Sequence, residues 1–261
     1  GFKDSNYRSV AHGQVLNRFV ENLTNGDPTA IGIVVALVIG LLSIFLILCS
    51  GTSNQRRGIL LVGLCDSGKT LLFSRLVYKQ YKKTQTSIKE NQGSYDVPDS
   101  KKAPLKIVDL PGHERLRNQS LDQYKGTARG IIFVVDSLTF QKDMRDVAEY
   151  LYTILTDVTV SKNHPPLLIA CNKHDQTLAK GSKVIQDMLE KEMNTLRKTK
   201  AAALDTTDNT SSSRVLGGTD RDFSFRDAKP FQVDFAECSA QGNKDYEPEI
   251  NQILDWLDRI A

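Results

Sequence analysis

An α/β fold, with a mostly parallel sheet covered by helices on both faces and one apolar helix ahead of it, is what this sequence predicts. Three observations carry that expectation. From Gly58 onward, short runs rich in Val, Ile and Leu alternate with stretches of helical periodicity, and such alternation implies a parallel sheet buried on both faces. One of those runs, Gly58-Ile59-Leu60-Leu61-Val62, leads into Gly63-Leu64-Cys65-Asp66-Ser67-Gly68-Lys69-Thr70 and then Leu71-Leu72-Phe73-Ser74-Arg75-Leu76-Val77. That is the strand–loop–helix context of a glycine-rich anion-binding loop. Ahead of all this, residues 30–49 contain no charge.

A helix of about twenty residues covers about 30 Å, the thickness of a bilayer's hydrocarbon. Secretory signal peptides carry a shorter apolar region just after basic residues, whereas Asp27 and Pro28 precede this one. The expected organisation is a lumenal segment over residues 1–29, a transmembrane helix over 30–50, a linker over 51–56 and a cytosolic domain over 57–261. Arg56 and Arg57 flank the span on its C-terminal side, while Arg18 on the other side is offset by Glu21 and Asp27, which favours a cytosolic C-terminal part. Asn22-Leu23-Thr24 matches a glycosylation acceptor close to the membrane. Residues 14–23 read as a short amphipathic piece suited to a membrane surface.

Within the domain, strands are expected at 58–62, 105–110, 130–136, 167–172 and 231–238. Residues 95–97 should add an antiparallel edge strand beside the 105–110 run, joined by the polar turn at 98–102. Met144, Val147, Leu151 and Ile154 repeat at helical spacing, as do Val184, Met188, Leu189 and Leu196. Ile250, Ile253, Leu254, Leu257 and Ile260 share one face of a last helix, with Pro248 near its first turn. Residues 198–229, rich in Thr, Ser, Asp and Gly, read as an extended, flexible insertion before the last strand.

Composition narrows the function classes. Apolar residues make up 40% and charged residues 25% of the 261 positions, which supports a substantial core. A net charge of +3, with basic and acidic residues interleaved, does not call for a nucleic-acid surface. Cys49, Cys65, Cys171 and Cys238 form no C-x-x-C pair, so neither a disulfide framework nor a zinc site follows. Lys79, Lys82, Lys83 and Lys89 cluster after the first domain helix. Such a cluster is a solvated face or a contact for anionic lipid or the ribosome.

The loop from Gly63 to Thr70 carries the main chemistry. A helix start leaves N–H groups unpaired and bears partial positive charge, so it binds anions. Gly63 and Gly68 let the backbone wrap a phosphate closely. Lys69 would reach the β and γ phosphates and the Thr70 hydroxyl would ligate Mg²⁺, so Leu64, Cys65, Asp66, Ser67 and Leu71 belong to the same binding set. Other signals fall at strand ends, where open α/β sheets bind ligands. In Asp109-Leu110-Pro111-Gly112, Asp109 is placed to hold Mg²⁺ through water and the Gly112 N–H to sense a γ phosphate. Thr84, Gln85, Thr86 and Ser87 offer hydroxyls, with Thr86 and Ser87 candidates for Mg²⁺. In Asn172-Lys173-His174-Asp175, the Asp175 carboxylate would accept from N1–H and the N2 amino group of guanine, a donor pair adenine lacks. Asn172 would brace the loop and Lys173 cover the base or ribose, while Ser239 and Ala240 would bring a backbone N–H to guanine O6. Taken singly, these matches are also plain turns or helix caps.

In this order and at these spacings the motifs resemble the Ras-like small GTPases, particularly the Arf-like branch, over residues 57–261. The loop Gly63 to Thr70, the run Asp109-Leu110-Pro111-Gly112-His113-Glu114, the run Leu168-Ile169-Ala170-Cys171-Asn172-Lys173 and Thr84 to Ser87 with Ile88 are similar to the beta-subunit family of the signal recognition particle receptor. That resemblance implies a P-loop NTPase, Ras-like fold with GTP or GDP and Mg²⁺ as cofactors. It also implies a single-pass endoplasmic-reticulum protein that holds an alpha subunit at the membrane and takes part in handing ribosomes to the protein translocation channel. Two positions depart from the wider Ras-like pattern. His113 stands where a glutamine usually orients the attacking water, and Cys65 where glycine is usual. The expectation is a GTP-binding switch with a slow intrinsic GTPase, in which His113 is the candidate catalytic residue. The alternatives are a constitutive anchor with GTP as a structural cofactor, or another Arf-like trafficking GTPase. A P-loop kinase or transport ATPase would leave Asn172 to Asp175 unexplained.

Overall fold

A computed structural model of the chain describes residues 28–49, 56–98, 103–205, 216, 221–242 and 247–261. The amphipathic piece at 14–23, the acceptor Asn22, the linker at 51–55 and most of the 98–102 turn lie outside these residues. Two compact units divide the chain between Asn54 and Gln55. The first carries helix α1 (Pro28–Cys49), 22 residues with no acidic or basic side chain in its end turns. Ile31, Val35, Val38, Ile39, Leu41 and Leu42 of α1 are exposed. No helix among the described residues is long and apolar enough to cross a membrane.

The second unit is a six-stranded sheet in the order β2-β3-β1-β4-β5-β6. Its strands are β1 (Gly58–Val62), β2 (Asn91–Tyr95), β3 (Leu105–Asp109), β4 (Ala128–Asp136), β5 (Leu167–Asn172) and β6 (Val233–Glu237). All neighbours are parallel except β2, which runs antiparallel to β3 with Tyr95 opposite Leu105. The expected edge pairing is therefore present, but the strand covers 91–95 and not 95–97. Its sequence, Asn-Gln-Gly-Ser-Tyr, carries little apolar signal because an edge strand is only partly covered.

The strands alternate their side chains between two cores. Ile59 and Leu61 point to one, with Leu72, Leu76, Ile253, Trp256 and Leu257 from α2 (Lys69–Tyr78) and α7 (Asn251–Ile260). Leu60 and Val62 point to the other. There they meet α3 (Glu114–Tyr124), α4 (Phe140–Thr156), α5 (Val158–Asn163) and α6 (Ser182–Asp205) through Leu121, Leu151, Val160 and Leu189. The buried apolar positions of α6 are Ile185, Leu189 and Met193, whereas Val184 is exposed, so the true core stripe lies one residue away from part of the expected one.

The 198–229 stretch needs correction as a wholly extended insertion. Its Ala-rich beginning continues α6 to Asp205, in keeping with high helix propensity. Its end returns to the core, where Phe223, Phe225 and Ala228 are buried with Phe231. Phe225 packs edge-on against Phe223 at 5.1 Å and Phe235 at 5.3 Å. Residues 206–215 and 217–220 are outside the description.

Candidate functional site

The C-terminal ends of β1, β3, β5 and β6 deliver the motifs to one edge of the sheet. The loop after β1 turns through Gly63 at φ 140° and Gly68 at φ 90°. A Cβ at Gly63 would overlap the Val134 carbonyl, and one at Gly68 would overlap the Asn172 amide. Both positions therefore demand glycine on conformation and on space. Lys69 opens α2, and its ammonium donates to the Leu64 carbonyl at 2.6 Å and lies 3.4 Å from the Ser67 hydroxyl. Burial lowers the Lys69 pKa from its ordinary value, against the pull of Asp109, Cys65 and Asp66.

Three oxygen-bearing side chains converge beside Lys69. The Thr70 hydroxyl donates to Asp109 Oδ2 at 2.8 Å and lies 3.0 Å from the Ser87 hydroxyl. Asn91 from β2 donates to the same Asp109 oxygen at 3.0 Å. Asp109 is fully buried, and its Oδ1 has no hydrogen-bond partner among the described residues. Burial raises its pKa, and the bonds from Asn91 and Thr70 and the charge of Lys69 offset only part of that rise. A buried carboxylate oxygen without a donor, beside two hydroxyls, suits a hard divalent cation with oxygen ligands. Asn91 was not anticipated, because nothing in an edge strand's sequence marks it as facing the site.

On the opposite side, Asn172 is buried at the end of β5 and ties two loops together. Its Nδ2 donates to the Ser67 carbonyl at 2.8 Å, and its Oδ1 accepts from Ala240 N at 3.0 Å and from Cys238 Sγ at 3.8 Å. These bonds link the phosphate loop to the loop after β6 through one side chain. The Ala240 N–H, expected to meet guanine O6, is instead bonded to Asn172. Asp175 Oδ1 accepts from the Ser239 hydroxyl at 2.6 Å, which in turn accepts from Gly242 N at 2.9 Å. Lys173 adopts a left-handed backbone with φ 64° and donates to Asp136 Oδ2 at 2.6 Å.

Between these groups lies a cleft of about 520 Å³. Cys65, Asp66, Gly68, Lys69, Thr70 and Leu71 line it, as do Thr84, Gln85, Thr86 and Ser87. Gly112, Lys173 and Gln241 also contribute to the lining. Gly63, Leu64, Ser67, Asp109, Asn172, Asp175, Ser239 and Ala240 are not among the lining residues. Tyr81, Lys82 and Lys83 also line the cleft. Their proximity to Thr84 was the available signal, since the basic cluster alone pointed to lipid or ribosome. His113 is exposed, and its Nδ1 accepts from Arg115 N at 3.3 Å as the N-cap of α3. Gly112 packs so closely under the loop that an added Cβ would lie 2.6 Å from Cys65 N. Cys65, Cys171 and Cys238 are unpaired thiols, and burial pushes the Cys171 thiol up to about 12.

This sheet order, with a P-loop after β1 and the Asn172 brace at the end of β5, defines a Ras/Arf-like GTPase fold. The family profile described as "Signal recognition particle receptor beta subunit" matches residues 54–230. Mouse signal recognition particle receptor subunit beta is 45% identical over 250 residues, covering 94% of this chain and 93% of its own length. A solved structure described as the mammalian SRP receptor shares 47% identity with a TM-score of 0.69, over 78% of this chain and 100% of that one. The Chaetomium thermophilum SRb in an SRb-GTP/SRX complex has a TM-score of 0.57 at 22% identity, over 77% of this chain and 97% of its own, which shows a shared fold. The chain belongs to the signal recognition particle receptor beta subunit family.

Proposed function

We propose that this chain is a membrane-anchored guanine-nucleotide switch that holds the receptor's alpha subunit at the endoplasmic-reticulum membrane for co-translational protein targeting. The observation that carries the reading is the meeting of Thr70, Ser87 and Asp109. It joins the phosphate loop, the 84–87 segment and the β3 end at one buried carboxylate, whose Oδ2 accepts from Thr70 and whose Oδ1 has no donor among the described residues. Solved relatives are described as SRb-GDP-Mg and SRb-GTP/SRX, which supports guanine nucleotide, Mg²⁺ and a protein partner here.

Thr70, Asp109, Ser87 and Thr86 would hold Mg²⁺, which supplies charge neutralisation on the phosphates. Lys69 would exchange its internal acceptor, the Leu64 carbonyl, for phosphate oxygens. The 84–87 and 109–114 segments would then order around a γ phosphate and present a GTP-dependent surface to the alpha subunit. Asp175, oriented by Ser239, would select guanine. The His113 ring serves as a helix cap, which supports slow intrinsic hydrolysis. For α1, an uncharged helix of 22 residues, about 33 Å at 1.5 Å per residue, supports a single span, with the GTPase domain facing the cytosolic nucleotide pool. Ribosome and translocation channel remain proposed contacts, offered by Lys79, Lys82, Lys83 and Lys89.

Alpha-subunit capture by the full chain in detergent tests the switch. Retention should be strong with GTP and weak with GDP, and equal retention would favour a constitutive anchor with nucleotide as structural cofactor. Competition of labelled GTP by GDP, ATP and XTP tests the base pocket. Asp175→Asn should move preference toward XTP.

A further inference from the structure

Arg75 is buried on α2, 9% exposed, and is not among the residues lining the cleft at that helix's start. A buried guanidinium is costly unless its donors are met. Its Nε donates to the Ala240 carbonyl at 3.0 Å and an Nη to the Gln241 carbonyl at 3.1 Å. The planar fork thus grips two consecutive peptide groups that lie 165 residues or more away in sequence. These peptides sit in the base-side loop, where Ala240 N bonds Asn172, Gly242 N bonds Ser239, and Ser239 bonds Asp175.

The same guanidinium lies 5.4 Å from the centroid of the Tyr81 ring, within cation–π range. Lys79, left-handed at φ 53°, turns the chain back at the end of α2. Beside Arg75, the Ser74 hydroxyl donates to the Gln80 carbonyl at 3.0 Å and holds the returning segment. Tyr81 and Gln241 both line the cleft. One helix therefore carries the phosphate loop at its start and, two turns later, a clamp on the base-side loop and on the entry to the 84–87 segment.

We propose that Arg75 is a positioning residue for guanine recognition: its fork sets the 239–242 loop, and through Ser239 the Asp175 carboxylate, at a fixed distance from the phosphate loop. The proposal rests on the guanine-nucleotide reading above. Arg75 is not among the residues lining the cleft; it keeps base site and phosphate site in register, so that both can be engaged at once. Lysine would keep the charge but lose the two-pronged geometry.

The test compares dissociation of fluorescent GDP and IDP from the full chain in detergent. IDP lacks the N2 amino group that Asp175 would accept, so the wild type should release it faster. In Arg75→Met, GDP release should rise about tenfold, for two lost charge-assisted hydrogen bonds, and the IDP-to-GDP rate ratio should fall toward one. Arg75→Lys should lie between, and it carries the test if the methionine variant does not fold. General loosening of the fold would speed both ligands alike. An unchanged ratio in the variants, or a wild-type ratio of one, overturns the proposal while leaving guanine binding intact. A wild type that takes up no guanine nucleotide overturns the reading beneath it as well.

Discussion

Asn172→Ala offers a direct measure of how strongly the site depends on one buried amide. The substitution removes the donor to the Ser67 carbonyl at 2.8 Å and the acceptor for Ala240 N at 3.0 Å, at a position 2% exposed. Each buried backbone group left without a partner costs about 1–3 kcal/mol, so the pair amounts to about 2–6 kcal/mol. Water entering the space vacated by the amide recovers part of this, which leaves about 3 kcal/mol. If that loss falls on the bound arrangement of the two loops, nucleotide affinity drops about 150-fold at 1.4 kcal/mol per decade. The assay is equilibrium titration of fluorescent GDP into the full chain in detergent, for wild type, Asn172→Ala and Asn172→Asp. The aspartate keeps the acceptor for Ala240 but turns an oxygen toward the Ser67 carbonyl, so it should bind no better than the alanine variant despite its matching shape. Affinity within threefold of wild type for Asn172→Ala, or clearly tighter binding by Asn172→Asp, would refute the bracing argument.

Other consequences follow from single contacts, each read by urea unfolding of the full chain in detergent. Tyr150 is buried with a hydroxyl that has no partner among the described residues, while its ring keeps Arg117 at 4.7 Å. Tyr150→Phe should therefore stabilise the domain by about 1 kcal/mol, and a loss would reveal a hidden partner. Asp157 caps α5 through Thr159 N at 2.8 Å and Val160 N at 3.0 Å and pairs with Lys125 at 2.7 Å. Burial pushes its pKa up, but the Lys125 bond and the helix N–H groups outweigh that and hold it below the usual value. A depressed carboxyl pKa contributes stability above the ordinary value of about 4, and this is lost as pH falls through the depressed one. Asp157→Asn should be less stable by about 1 kcal/mol at neutral pH, and the gap should close by about pH 2. A gap that persists in acid would argue against the charge as its source. Gly112→Ala would push a methyl against Cys65 N and the Leu64 peptide, both rigid backbone. It should cost about 1–3 kcal/mol, and wild-type stability would mean the loop moves aside freely.

Much of this protein was legible in its sequence because the signals are local. A phosphate loop needs glycine where φ is positive, a lysine and a hydroxyl at fixed spacing, and a strand and helix on either side; Gly63 to Val77 display all of these. Buried parallel strands such as Leu167–Asn172 announce themselves by unbroken apolar character. Elements with one-sided or thin burial gave weaker signals. β2 is polar because it is an edge, α3 buries only Leu121, and Phe223 and Phe225 lie in a polar stretch whose return to the core no periodicity marks.

What the sequence determined alone was the inventory of chemistry: which residue types stand at which strand ends, and where an uncharged apolar stretch lies. Only the tertiary structure decided the partners. That Asn172 bonds Ser67 and Ala240, that Ser239 orients Asp175, that Asn91 meets Asp109, and that Arg75 grips the Ala240 and Gln241 carbonyls all depend on elements coming together in space, β2 with β3 and β5, β6 and α2 with one another, across gaps of up to 166 residues. Hydrogen bonds are decided by distance and angle in space, and no local pattern encodes either between residues so far apart.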